Sequence, residues 1–303
     1  MYCSFLQTLA KVQAQLIFKT WLKYCSFANQ IKTSLYMKLL FSIACIILAS
    51  TISQASLVIV NGLSHEHTVQ IGSKSQGSIV IKNTAESPKR ARIYKTDVIH
   101  NCEGQTTFLE ELNRDRCNSS WTLLSDNEIV IPGQQTYTLT YELEPSDSVT
   151  PNGSYWGVVM IEEIKDLDTS APQRGVTVTS LIRYAIQIIS NFESESLKDL
   201  EIVGVDMDTT REVNMLTVSV NNKGNYMLKP IMIIELYDES GTQVYRNEIP
   251  YQKVYPGYCK LFDLPIKEVP VGSYSGILVA DCGEENIYGI ELDIDVPEPR
   301  PTE

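Results

Sequence analysis

Gln135-Thr136-Tyr137-Thr138-Leu139-Thr140-Tyr141-Glu142-Leu143-Glu144 alternates apolar with polar side chains. Tyr137, Leu139, Tyr141 and Leu143 hold one parity and Thr138, Thr140, Glu142 and Glu144 the other. Side chains of an extended chain point to opposite faces in turn, so the stretch makes one apolar face and one wet face. That is the pattern of an antiparallel strand lying over a core. The same period recurs on Val176, Val178, Ile182, Tyr184, Ile186 and Ile188, and on Leu216, Val218 and Val220. It appears again on Leu292, Ile294 and Val296, set against Glu291, Asp293 and Asp295. Turn formers separate such runs: Pro132-Gly133, Pro151-Asn152-Gly153, Asn222-Lys223-Gly224-Asn225, Glu239-Ser240-Gly241 and Pro256-Gly257. Many short strands at this spacing predict an all-β protein of two tandem immunoglobulin-like β-sandwiches behind an N-terminal signal segment.

The 303 residues are 43% hydrophobic, which excludes a disordered or collagen-like chain. Charge is divided unevenly. Residues 1–55 hold five lysines and no acid, leaving 20 basic and 37 acidic residues, a charge of −17, for 56–303. Met37-Lys38 precedes the apolar run Leu39–Ala49, and Ser53-Gln54-Ala55 places small residues three and one before a cut. This reads as a secretory signal peptide over 37–55, cleaved after Ala55, with 1–36 taken as a mis-assigned start. The alternative for 1–36 is an amphipathic helix at a membrane surface, carried by Leu6, Leu9, Val12, Leu16, Phe18, Trp21 and Leu22. A membrane is expected to be touched only through an uncleaved leader. The polar stretch Asn191–Lys198 is the expected boundary between domains at 56–190 and 199–296, followed by a proline-rich tail at 297–303.

Cys3, Cys25 and Cys45 fall within the leader, so four cysteines remain: Cys102, Cys117, Cys259 and Cys282. An even number in an exported chain points to disulfides and a periplasmic or secreted location. Three pairings are open, and the two-domain division favours Cys102 with Cys117 and Cys259 with Cys282. Residues 102–121 then form a loop closed by the first bridge, worth about 3 kcal/mol in the chain-entropy model.

A family resemblance rests on four segments taken in order. They are Gly77-Ser78-Ile79-Val80-Ile81-Lys82-Asn83-Thr84, Ile131-Pro132-Gly133-Gln134, Asn152–Glu162 with its Tyr155-Trp156 pair, and the closing run Leu181–Ile188. Over about 130 residues their succession resembles the amino-terminal immunoglobulin-like domain of periplasmic pilus chaperones. The two-domain arrangement is also similar to the WxL-interacting proteins of Gram-positive surfaces. The pilus-chaperone resemblance implies that the closing strand, 176–189, offers alternate apolar side chains to an incomplete partner subunit, by strand addition at a sheet edge. It also implies a basic pair that anchors the partner's terminal carboxylate. No Lys or Arg occurs from Ser56 to Ser73, where the family's first-strand arginine belongs, so Arg174 and Arg183 are the candidate anchors. The partner-binding set is therefore Val176, Val178, Ile182, Tyr184, Ile186, Ile188, Arg174 and Arg183. The competing reading makes 176–189 simply a long core strand.

Other chemistries find less support. His65 and His67 share one face of an extended segment and His100 is the remaining histidine, too sparse a set for a metal site, so no metal or cofactor is expected. There is no Gly-x-Ser-x-Gly elbow, phosphate-binding glycine loop or His-Glu-x-x-His helix, which argues against an enzyme. A −17 chain without a basic stripe repels nucleic acid. Tyr245, Tyr251, Tyr255 and Tyr258 fall within 14 residues and suit either a recognition surface or core packing. The expected function is a non-enzymatic protein-binding module that captures a pilus-like or secreted subunit by strand addition. The alternative is a structural or adhesive cell-envelope module that contacts peptidoglycan.

Overall fold

A computed structural model of the chain describes residues 56–112, 114–164 and 182–298. The leader through Ala55, the residues Arg174, Val176 and Val178, and the tail beyond Glu298 lie outside the described residues.

Ten strands build the first sandwich: β1 (Leu57–Ile59), β2 (Ser64–Thr68), β3 (Ser75–Asn83), β4 (Lys89–His100), β5 (Thr106–Leu109), β6 (Thr122–Leu124), β7 (Glu128–Ile131), β8 (Thr136–Leu143), β9 (Gly153–Ile164) and β10 (Arg183–Phe192). One sheet runs β1-β3-β8-β6; the other runs β2-β10-β9-β4-β5, with β7 also on β4. The alternation seen in the sequence becomes burial. Leu139, Tyr141 and Leu143 of β8 face Ile79 and Ile81 of β3, Ile93 of β4, Val159 and Ile161 of β9 and Ile186 and Ile188 of β10 in one core. Each large aliphatic side chain buried there contributes about 1.5–3 kcal/mol relative to its exposed state.

Seven strands build the second: β11 (Leu200–Asp208), β12 (Asn214–Asn222), β13 (Ile231–Tyr237), β14 (Gln243–Ile249), β15 (Cys259–Ile266), β16 (Gly272–Asp281) and β17 (Ile287–Val296). A three-stranded sheet, β11-β12-β15, packs on a four-stranded one, β14-β13-β16-β17. Leu216, Val218, Val220, Met232, Ile234, Phe262, Leu264 and Leu278 fill the core between them. The chain is thus all-β, two tandem immunoglobulin-like sandwiches.

A third apolar cluster joins the two. β9 is buried on both faces: Tyr155, Val159 and Ile161 look into the first core, while Trp156, Val158 and Met160 look out. Met227, Tyr255 and Tyr258 of the second sandwich pack on that outer face, with the Tyr255 ring 4.6 Å from that of Trp156.

Two expectations need correcting. The disulfide joins Cys102 to Cys259, with their Cα atoms 4.8 Å apart, while Cys117 and Cys282 are free. Residues 102–121 are likewise not one loop, since Thr106–Leu109 is strand β5, paired with β4. The β4–β5 hairpin tip carries Cys102 onto the edge of β15, where the Leu261 amide donates to the Cys102 carbonyl at 2.9 Å. The main chain at Cys117 instead forms an isolated parallel β-bridge with Trp156 inside the first sandwich. Burial raises the Cys117 thiol pKa, and raises that of Cys282 to about 11, so both remain protonated at ordinary pH.

Candidate functional site

β10 pairs antiparallel with β9 along its whole length, Arg183 to Phe192. On its other side β2 covers only Gln187–Asn191, in parallel. Among the described residues nothing pairs with Arg183–Ile186 on that side. The Gln187 amide donates toward β2, to the Leu63 carbonyl at 2.9 Å. Main-chain groups of a strand alternate between its two neighbours, so Arg183 and Ala185 direct their N–H and C=O groups to the open edge.

The expected partner-binding residues divide along this strand. Ile186 and Ile188 are core residues, 0% and 1% exposed. Tyr184 is half-buried and its hydroxyl donates to the Leu57 carbonyl at 2.5 Å. Ile182, 37% exposed, stands just ahead of the strand at the open end. Arg183 is exposed and pairs with Glu162 across the ladder at 3.2 Å.

Beside this edge, between the sandwiches, lies a cleft of about 250 Å³ lined by His100, Thr106, Gln187, Lys253, Tyr255 and Lys260, among others. Tyr255 donates to the Gln187 side chain at 2.9 Å. Its ring stacks on His100 with centroids 4.9 Å apart. Burial, reinforced by Lys260, Arg114 and Lys253, pushes the His100 pKa down to about 4, so this imidazole is neutral at ordinary pH. Burial also lowers the Lys253 pKa. Sequence reasoning missed the two lysines. They come from the second sandwich, and no spacing rule links them to residues of β4 and β10.

The remaining motifs also find their places. His65 and His67 meet at one atom, the hydroxyl oxygen of Tyr141, at 3.0 and 2.8 Å. His100 stacks in the cleft instead, and among the described residues no group of three or more His, Cys, Asp or Glu is placed to hold a metal ion. The tyrosines of the second sandwich do not form one surface. Tyr255 is buried, Tyr245 donates to the Pro265 carbonyl, and Tyr251 is exposed.

No family model matches the chain, and no curated protein matches it. Among solved structures it resembles fimbrial chaperones. A structure of a chaperone–tip adhesin complex of CFA/I fimbriae biogenesis aligns at TM-score 0.46 and 14% identity, covering 80% of this chain and 100% of that one. The class 5 fimbriae chaperone CfaA aligns at 0.45 and 14%, with the same coverage. The CsuC–CsuE chaperone–tip adhesion subunit complex of Acinetobacter baumannii aligns at 0.42 and 11%, covering 78% and 98%. The two-sandwich architecture itself rests on the strand pairing described above.

Proposed function

We propose that the protein is an exported, non-enzymatic binding module that captures a partner subunit by adding a partner strand to β10. The observation that carries the reading is the edge at Arg183–Ile186, which no described strand covers and which begins where the apolar Ile182 is exposed. An unpaired edge offers main-chain hydrogen bonds, and alternate side chains supply choice of partner. In the sequence Val176 and Val178 keep the same apolar parity, and with Arg174 they belong to the proposed contact. Lys260 of the cleft supplies positive charge that the first strand lacks and is assigned to a partner's carboxylate, while Lys253 is paired with Glu66 of β2. Domain limits at 56–190 and 199–296 and a periplasmic or secreted location belong to the same reading.

Proline at position 185 tests it. Ala185→Pro removes one N–H that points to the open edge and leaves the ladder to β9 intact, as edge strands tolerate. Capture of envelope proteins by the folded variant should fall about tenfold or more, and Ile182→Asp should do the same. Equal capture by wild type and both variants, each folded by circular dichroism, would discard strand addition at β10. The envelope-module alternative has less support, because Tyr255 and Tyr258 are used between the sandwiches.

A further inference from the structure

β2 covers half of the edge that β10 would otherwise offer, and what holds it there is almost wholly polar. Its sequence is Ser64-His65-Glu66-His67-Thr68. Gly62, at φ 91°, precedes it, and Val69, 3% exposed, fixes the chain after it. No apolar side chain of β2 itself enters the core. Besides its main-chain ladder to β10, two sets of side-chain contacts hold it in place. On one face Glu66 pairs with Lys229 at 2.7 Å and Lys253 at 3.8 Å, and Lys253 also donates to Ser64. On the other face His65 and His67 turn toward Tyr141.

That second contact is one chain of hydrogen bonds. His65 Nδ1 lies 3.0 Å from the Tyr141 hydroxyl, which lies 2.8 Å from His67 Nε2; His67 Nδ1 lies 3.3 Å from the Ser75 hydroxyl. The arrangement closes when both imidazoles are neutral. His65 Nδ1–H donates to the phenol oxygen, the phenol O–H donates to His67 Nε2, and His67 Nδ1–H donates to Ser75. His65 Nε2 is buried and has no hydrogen-bond partner among the described residues, which suits a bare lone pair. A proton on His65 Nε2 would create a buried donor with no acceptor. A proton on His67 Nε2 would remove the acceptor of the phenol O–H, and Tyr141 is 1% exposed.

Among the described residues no carboxylate is bonded to the pair to offset the charge. Glu66 is on the opposite face of β2 with its lysines. Glu142 of β8 is held by Lys74 and Gln76, and Glu144 by Lys74. On the histidine face β10 presents Ile188 and Ser190, in register with His65 and His67, and β3 presents Ser75; Gln187 and Asn191 are in register with Ser64 and Thr68 on the Glu66 face. Tyr226 and Tyr255 of the second sandwich lie within the field of Glu66, on the far side. Burial and the neighbouring His65 already lower the His67 pKa, in keeping with this arrangement.

We propose that β2 is a proton-released latch: when His67, which meets His65 at the Tyr141 hydroxyl, becomes charged, β2 leaves β10, and the open edge lengthens from Arg183–Ile186 to Arg183–Asn191, ready for an extended segment of a partner. The use of that edge by a partner rests on the strand-addition reading; the release of β2 does not.

Hydrogen–deuterium exchange on the full chain tests the latch. From about pH 7.5 to about pH 5.5, corrected for intrinsic exchange, amides of Ser64–Thr68 should lose about tenfold in protection while β12 and β16 keep theirs. In H65Q/H67Q the protection should be the same at both pH values. Tyr141→Phe keeps the core volume but removes the shared oxygen, so it should loosen β2 already at about pH 7.5 and flatten the response. Equal protection of wild-type β2 at both pH values would overturn the latch. So would an acid response that survives in H65Q/H67Q, or acid loss shared by all strands. Release of β2 together with unchanged capture by Ala185→Pro would retain the latch and discard strand addition alone.

Discussion

Asp97 has no exposed surface and accepts from three donors: Arg114 Nε at 2.9 Å, Arg114 Nη2 at 2.7 Å and the Val98 amide at 2.7 Å. The guanidinium also lies over the Trp156 ring, 4.2 Å from its centroid, so the pair helps to fix the residue on which the two sandwiches meet. Removing one partner of a buried ion pair leaves the other charge uncompensated. Asp97→Ala should therefore cost about 3–5 kcal/mol, read as a lower urea midpoint. A loss below about 1 kcal/mol would show that Arg114 finds another anion or water. Nothing in the sequence marks this pair. Asp97 and Arg114 are two charges among many, and only the fold brings them into contact. Tyr141 is a similar case: its place on an apolar face was legible, but not the meeting of His65 and His67 at its hydroxyl.

Among the elements, those with long alternating or continuous apolar runs were readable. β8, β12 and β17 lie where the alternation placed them. β9 carries a continuous run, Tyr155–Ile161, because both of its faces are covered. The polar β2 and short β5 gave little signal, because what fixes them is pairing to β10 and β4 and not burial of their own side chains. The contact of β4 with the Tyr255 segment sets a pH dependence. The His100 pKa is about 4 in the folded protein, below the usual 6.5, so the unfolded chain binds its proton first. The stability this group contributes is complete above about pH 6.5 and is lost as pH falls toward 4. Stability measured by urea should decline across that window, and His100→Gln should make the decline shallower. An unchanged slope in the variant would show that other groups dominate.

For the molecule as a whole, the bridge between Cys102 and Cys259 closes 157 residues and ties one sandwich to the other. In the chain-entropy model so long a loop restrains the unfolded chain by about 4–5 kcal/mol. C102S/C259S should lower the urea midpoint accordingly while leaving the far-ultraviolet circular dichroism of the strands unchanged. The cluster of Trp156, Met227 and Tyr255 still joins the sandwiches in that variant. A midpoint equal to that of the wild type would mean that the denatured chain is already compact enough to make the crosslink redundant.

The sequence by itself determined the all-β architecture, the two sandwiches and the apolar parity of the closing strand. Period two is a local property: each residue's face follows from its neighbours along the chain. Tertiary structure alone decided the cysteine pairing, the cleft that joins His100 and Gln187 to Lys253 and Lys260, and the length of β10 that β2 covers. These depend on which loop tip reaches which strand, and how far one strand covers another. Both are set by packing between segments distant in sequence, which local pattern does not encode.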